Sequence, residues 1–110
     1  MPLVGKFNCE EGAMYVVCVT FTLKAGAKER FMPLMLAQAE NSLAHEADCL
    51  RFDVCSNAQT NEVFLYEVYA SEDAFQVHLA SKHFKEFDMA VSELIADKAV
   101  STFGEVAIGS

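Results

Sequence analysis

The sequence predicts an α+β protein of ferredoxin-like order, βαββαβ, with one antiparallel sheet and its helices on a single face. Three observations carry that expectation. Four short segments are rich in β-branched and aromatic residues. Two longer segments between them place apolar residues at helical spacing. The second and third strand segments are joined only by Asn57-Ala58-Gln59-Thr60-Asn61, a polar connection of hairpin length.

Residues 1–13 show no sustained period and read as an arm, residues 14–107 as the domain, and 108–110 as a tail. From Met14 to Leu23 the odd positions Tyr15, Val17, Val19, Phe21 and Leu23 make one apolar face, while Thr20 and Thr22 lean the other way. Lys24-Ala25-Gly26 ends this strand. Ala27 to Glu46 then reads as a helix, with Phe31, Leu34 and Met35 near one stripe and Met32, Leu36, Ala39 and Leu43 beside it. Pro33 removes a helical hydrogen bond, so a kink or a late start is expected there. Cys49 to Ser56 is the second strand, with Leu50, Phe52 and Val54 on one face and Arg51 and Asp53 on the other. Glu62 to Ala70 is the third, with Val63, Leu65, Glu67 and Tyr69 opposite Phe64, Tyr66 and Val68. Ser71 is placed to cap a helix, with Glu72 and Asp73 in its first turn. Ser81 can cap a second helical segment running to about Asp97, and Ala99 to Ala107 gives the last strand.

At 110 residues the chain has room for one domain, and 53% of it is hydrophobic. A chain of this size buries roughly 65% of its unfolded surface. Helices on one face leave the other face of the sheet bare, and with Phe, Tyr and Val on both faces a second copy is the expected cover. The net charge is −8, from 16 acids and 8 bases, and no basic stripe exists for nucleic acid or an anionic membrane. No secretory signal or membrane-length apolar run is visible, so a cytoplasmic location is expected. Cys9, Cys18, Cys49 and Cys55 form no C-x-x-C pair and read as buried thiols; Cys49 and Cys55, six apart on one strand and facing one side, cannot bridge while it stays extended.

One resemblance covers about Tyr15 to Val106. Cys49-Leu50-Arg51-Phe52-Asp53-Val54 and Phe64-Leu65-Tyr66-Glu67-Val68-Tyr69, followed by Ala74-Phe75, His78 and Ser81-Lys82-His83-Phe84, resemble the motif order of the antibiotic biosynthesis monooxygenase family. The resemblance implies a dimeric α+β barrel. It also implies one of several activities: cofactor-independent oxygenation of quinols and polyketide aromatics, haem degradation, or isomerisation of a phosphorylated sugar. Two departures stand out. Ala47-Asp48 replaces the family's Pro-Gly turn, and the chain has no Trp. The haem-degrading pattern uses a Trp, so that activity is not expected.

His78 is the first candidate for chemistry, because imidazole exchanges a proton near neutral pH and the resemblance places a histidine there. The alternative is a part-buried histidine bonded to backbone. His83 lies five residues on, about 140° around a continuous helix, so the two should not share a face or a metal. His45 stands alone near a helix end. Glu67 and Tyr69 face one side of a strand, and two readings are open: a catalytic pair that orients a hydroxylated aromatic or a sugar carbonyl, or a Glu67 ion pair with Arg51 or across a dimer. Phe52, Phe75, Phe84 and Phe87 can wall a pocket or simply fill a core. His83, Phe52, Phe75, Phe84 and Arg51 are the candidate substrate contacts.

No Gly-rich phosphate loop, nucleophile elbow or metal-ligand cluster occurs, and neither a cofactor nor a metal is expected. The leading expectation is a quinol monooxygenase in which His78 deprotonates a small phenol. A rival is an isomerase of a phosphorylated hydroxy-ketone, with Lys24, Arg51 and Lys82 to grip phosphate. A third is a non-catalytic module that binds a small ligand.

Overall fold

The structure, a computed structural model, describes residues 14–109; the expected arm, with Cys9, lies outside the described residues. Strand β1 (Tyr15–Leu23) leads to helix α1 (Lys28–His45), then β2 (Cys49–Ser56), β3 (Glu62–Tyr69), α2 (Glu72–Ala80), α3 (Lys82–Val91), a 3-10 turn (Ser92–Leu94) and β4 (Ile95–Phe103). The sheet order is β2-β3-β1-β4, every neighbouring pair antiparallel. This is the ferredoxin-like arrangement, with the helices against one face.

The alternation read along β1 is the alternation seen. Val17, Val19, Phe21 and Leu23 face the helices and are buried, while Cys18, Thr20 and Thr22 face the other way. Gly26, at φ 77°, makes the turn into α1, a backbone conformation that a side chain would strain. The helix begins at Lys28, five residues ahead of Pro33, so it does not start late. Phe31, fully buried, meets Phe21 edge-on with ring centroids 5.2 Å apart and Phe87 at 6.3 Å. That contact ties α1 to the sheet and to α3. The buried stripe of α1 continues through Met35 and Ala39 but includes Gln38 and Ser42, whereas Leu34, Leu36 and Leu43 are exposed.

Two expectations are corrected. The helix after Ser81 stops at Val91, not near Asp97, and β4 spans Ile95–Phe103 rather than Ala99–Ala107. Ladder pairing with β1, from Leu23–Ile95 to Val16–Phe103, overrides the weak strand preference of Ala96 and Asp97. The second correction is a bulge in β2. Cys49 pairs with Tyr69 but Arg51 with Val68, so Leu50 is pushed out of the alternation and is 52% exposed. Cys49 and Phe52 therefore both face the core, and Cys55, paired with Phe64, lies on the opposite face from Cys49. Beyond β4, Val106 and Ile108 line a groove on the outer sheet face with Val16 and Val68. Among the described residues no helix is long and apolar enough to cross a membrane.

Candidate functional site

Helix α2 opens at Ser71, whose Oγ accepts from the Ala74 N–H at 3.1 Å. Its first and second turns lay Ala74 and His78, four residues apart, on the face toward the sheet. The helix ends because Ser81 is extended (φ −70°, ψ 151°). Its hydroxyl serves both neighbours, donating to the His78 carbonyl at 2.7 Å and accepting from the Phe84 N–H at 3.2 Å. The break swings His83 back toward His78, ring centroids 5.9 Å apart. The 140° separation of a continuous helix therefore does not apply, and the two histidines share one site.

What gathers them is Glu46, the residue just past α1. Its backbone is extended and its N–H closes the helix onto the Ser42 carbonyl at 3.0 Å. The side chain, 8% exposed, turns inward, with Oε2 2.9 Å from His78 Nδ1 and 2.7 Å from His83 Nε2. The first contact is a hydrogen bond; the second is out of line for one, and Oε1 is buried without a hydrogen-bond partner among the described residues. His83 Nδ1 lies 3.3 Å from Gln38 Oε1, and the Ser42 hydroxyl donates to the Gln38 carbonyl at 2.9 Å. A polar thread thus runs from α1 to α2 through an apolar interior, where polar groups must find partners. The two imidazoles meet one oxygen from separate sides, and among the described residues no group of three or more His, Cys, Asp or Glu is arranged to hold a metal.

Electrostatics give the members distinct roles. Burial pulls His78 below the ordinary imidazole range, outweighing the stabilisation of its cation by Glu46, while His83 adds to the fall. His78 is therefore neutral at pH 7. With Nδ1 donating to Glu46 Oε2, the tautomer this contact fits, Nε2 presents a lone pair. Glu67, on the inner face of β3 and 3% exposed, is pushed up to about 7 by burial, against the Tyr69 hydrogen bond and the charge of Lys98. Tyr69 donates to Glu67 Oε1 at 2.6 Å. Its hydroxyl is driven well above the usual phenol value by burial and by Glu67, so it stays a donor. Burial also pushes the Cys49 thiol up to about 11, with Glu46 and Glu67 nearby adding to the rise, which leaves it unreactive at neutral pH.

His78 and Glu67 border a cavity of about 60 Å³ between helices and sheet. Its wall is mostly apolar, with His78 and Glu67 beside Phe52, Phe75, Phe84 and Phe87. His78 sits among those rings, 5.1 Å from Phe84 and 6.2 Å from Phe75, stacked on the latter. An engineered cavity of roughly 150 Å³ holds benzene, so a ring enters here only when side chains at the mouth move.

Of the residues singled out from sequence, His78, Glu67, Phe52, Phe75 and Phe84 line the cavity. Tyr69 stands behind it as the support of Glu67, fully buried against Phe75 and His78. His83 lies behind His78 and does not line it. Arg51 is on the outer sheet face, 2.7 Å from Asp53 and 5.8 Å from the Tyr66 ring centroid. Its ion pair is with Asp53, and Glu67 is not its partner. Lys24 and Lys82 are also absent from the cavity wall, Lys82 being paired with Glu86 on the surface. Sequence reasoning missed Glu46, Gln38 and Lys98. Gln38 left a signal, a polar residue seven positions after Phe31 on the buried stripe. Glu46, read from sequence as the last residue of the helix and in fact the residue after it, left none.

Fold and site together define a ferredoxin-like α+β protein with a histidine-bearing aromatic cavity between helices and sheet. The chain belongs to the antibiotic biosynthesis monooxygenase family, whose sequence profile matches residues 14–89. Among solved structures, Rv0793 of Mycobacterium tuberculosis is 24% identical and superposes with a TM-score of 0.80, over 89% of this chain and 100% of that one. A protein of Caulobacter crescentus, provisionally assigned to the same family, also gives 24% and 0.80, over 86% of this chain and 92% of its own. PA3566 of Pseudomonas aeruginosa gives 20% and 0.77, over 86% and 96%. At these identities the likeness fixes the fold alone. No match is found among curated proteins.

Proposed function

We propose that the chain is a cytoplasmic, homodimeric monooxygenase that oxidises a quinol or similar small phenol with dioxygen and without a bound cofactor. The observation that supports this best is the Glu46–His78 pair: a buried neutral imidazole, fixed in one tautomer, beside an aromatic-walled cavity. In this reading Nε2 of His78 takes the phenolic proton, and charge spreads onto a ring carbon. That carbon gives two electrons to dioxygen, a C–O bond forms, and the imidazolium returns its proton to make a hydroperoxide. His78 then removes the hydrogen on the same carbon as the O–O bond breaks. Glu67, protonated below about 7, hands a proton to the departing hydroxide and recovers it from His78. One oxygen stays as the quinone carbonyl and the other leaves as water.

An isomerase of a phosphorylated hydroxy-ketone needs a phosphate grip; Lys24, Arg51 and Lys82 are absent from the cavity wall, which offers one ammonium, Lys98, for a dianionic phosphate. The homodimer is supported by the outer sheet face, where Leu50 and Phe64 are exposed beside Tyr66; light scattering at twice the chain mass is the expected result. The catalytic reading is tested by oxygen uptake over a panel of quinols, with His78→Ala alongside. Uptake that falls about 10²-fold or more in the variant is expected for a general base. Saturable binding with no uptake on any quinol refutes it and favours the non-catalytic module.

A further inference from the structure

The cavity reaches the inner face of edge strand β4, where Lys98 and Val100 complete its wall. Both are exposed. Lys98 is the single cationic side chain on that wall. Its ammonium lies over the ring of Phe21, 5.6 Å from the centroid, and Phe21 is its register partner on β1. Four other basic side chains are engaged elsewhere, Lys28 with the Asn57 and Thr60 carbonyls, Arg30 with Glu93, Arg51 with Asp53 and Lys82 with Glu86, and neither Lys24 nor Lys85 reaches the cavity wall. Among the described residues no carboxylate lies within ion-pair distance of Lys98. On a chain of net charge −8 this unneutralised ammonium, set against an aromatic ring, marks one place that attracts an anion.

The sheet sets its distance from the reacting end. Lys98 stands opposite Phe21 and Glu67 opposite Val17, four residues apart on β1, or roughly 13 Å along the strand, and on its two flanking strands, roughly 10 Å apart across it. Both side chains lean into the same cavity and shorten that span. His78 packs against Phe52, the register partner of Glu67, so a group held by Lys98 and a hydroxyl held by His78 belong at opposite ends of the cavity.

We propose that Lys98 is an anion seat, and that the substrate is a small aromatic bearing a carboxylate or similar acidic group across the ring from the hydroxyl presented to His78. This rests on the reading that the cavity is the substrate site. Glu67 is compatible with such a ligand, since with its pKa raised to about 7 it is largely uncharged in mildly acidic solution and does not repel the anion.

Calorimetric titration of the whole chain at pH 6.5 with 4-hydroxybenzoate and with neutral 4-hydroxybenzyl alcohol tests the proposal. The carboxylate is expected to bind at least tenfold tighter. Lys98→Gln should abolish that preference, and Arg51→Gln should keep it, since Arg51 lies on the other face. Both residues are exposed, so neither substitution disturbs the core. Equal affinities, a preference that survives Lys98→Gln, a loss in Arg51→Gln instead, or binding of neither compound each overturns the anion seat. Oxygen consumption plays no part in this measurement. A chain that binds 4-hydroxybenzoate through Lys98 yet never consumes oxygen refutes the monooxygenase reading and leaves the seat standing.

Discussion

Glu67→Gln should raise stability at alkaline pH and leave it nearly unchanged at acid pH. In the folded chain the carboxyl is held at about 7, against 4.5 for an ordinary glutamate. A carboxyl raised on folding keeps its proton where the unfolded chain has already released it. Its stabilising influence is complete below pH 4.5 and is lost as pH rises through 7. The full difference is worth about 3 kcal/mol, reached near pH 8.5, because each tenfold change in proton affinity contributes about 1.36 kcal/mol. Glutamine is neutral throughout and its Oε1 can still accept the Tyr69 hydroxyl, now held by Glu67 at 2.6 Å. The variant and the native chain should therefore melt together at pH 4.5 and separate progressively above it. At about 4 °C per kcal/mol for a domain of this size, the gap should approach roughly 10 °C at pH 8.5. Circular-dichroism melts of both proteins from pH 4.5 to 8.5 measure it. A constant difference over that range would show that Glu67 titrates as an ordinary surface carboxyl, and its assignment as a neutral-pH proton carrier would fall with it.

His78 acts in the opposite direction. Its folded value is lowered from 6.5, so the stability it contributes is present above 6.5 and is lost as pH falls through the folded value. His78→Gln should flatten the acid limb of a urea-midpoint-against-pH curve; an unchanged acid limb contradicts the buried neutral imidazole. Ser81→Ala removes the hydroxyl that caps α3 and ties off α2. A loss of about 1 kcal/mol in urea unfolding is expected. Quinol-dependent oxygen uptake should fall with it, because the same junction aims both histidines. An effect on stability with full activity would separate the cap from the site.

Much of the fold was legible because β1 and β3 each obey one period, whereas on α1 Gln38 and Ser42 take buried places and Leu34, Leu36 and Leu43 face out. β1 alternates without interruption, and its inner face is the one read from Tyr15 to Leu23. The errors fall where tertiary pairing overrides local preference. Ile95, Ala96 and Asp97 continue a helical pattern on paper, yet register with β1 draws them into a strand. Nothing in Cys49-Leu50-Arg51-Phe52 announces the bulge either, since an unbroken alternation puts Leu50 with Phe52. The bulge arises when both Cys49 and Phe52 find places in the core, a long-range result that local sequence does not encode.

The site was half legible for the same reason. His78, Glu67, Phe52, Phe75 and Phe84, each singled out from the sequence, line one cavity, though only the inward face of Glu67 follows from an unbroken period. The residues that give the cavity its chemistry depend on where regularity stops. Glu46 reaches the histidines because α1 has ended and its backbone is extended, and His83 reaches Glu46 because Ser81 breaks the helix that would have carried it away. The bulge in β2 turns Phe52 inward across from Glu67. Three interruptions of periodic structure thus converge on one imidazole. Each is set by local hydrogen bonding or strand register, and each leaves the strands and helices around it intact. The scaffold can keep its core while the residue after a helix, the residue between two helices and one strand bulge decide which proton acceptor faces the cavity.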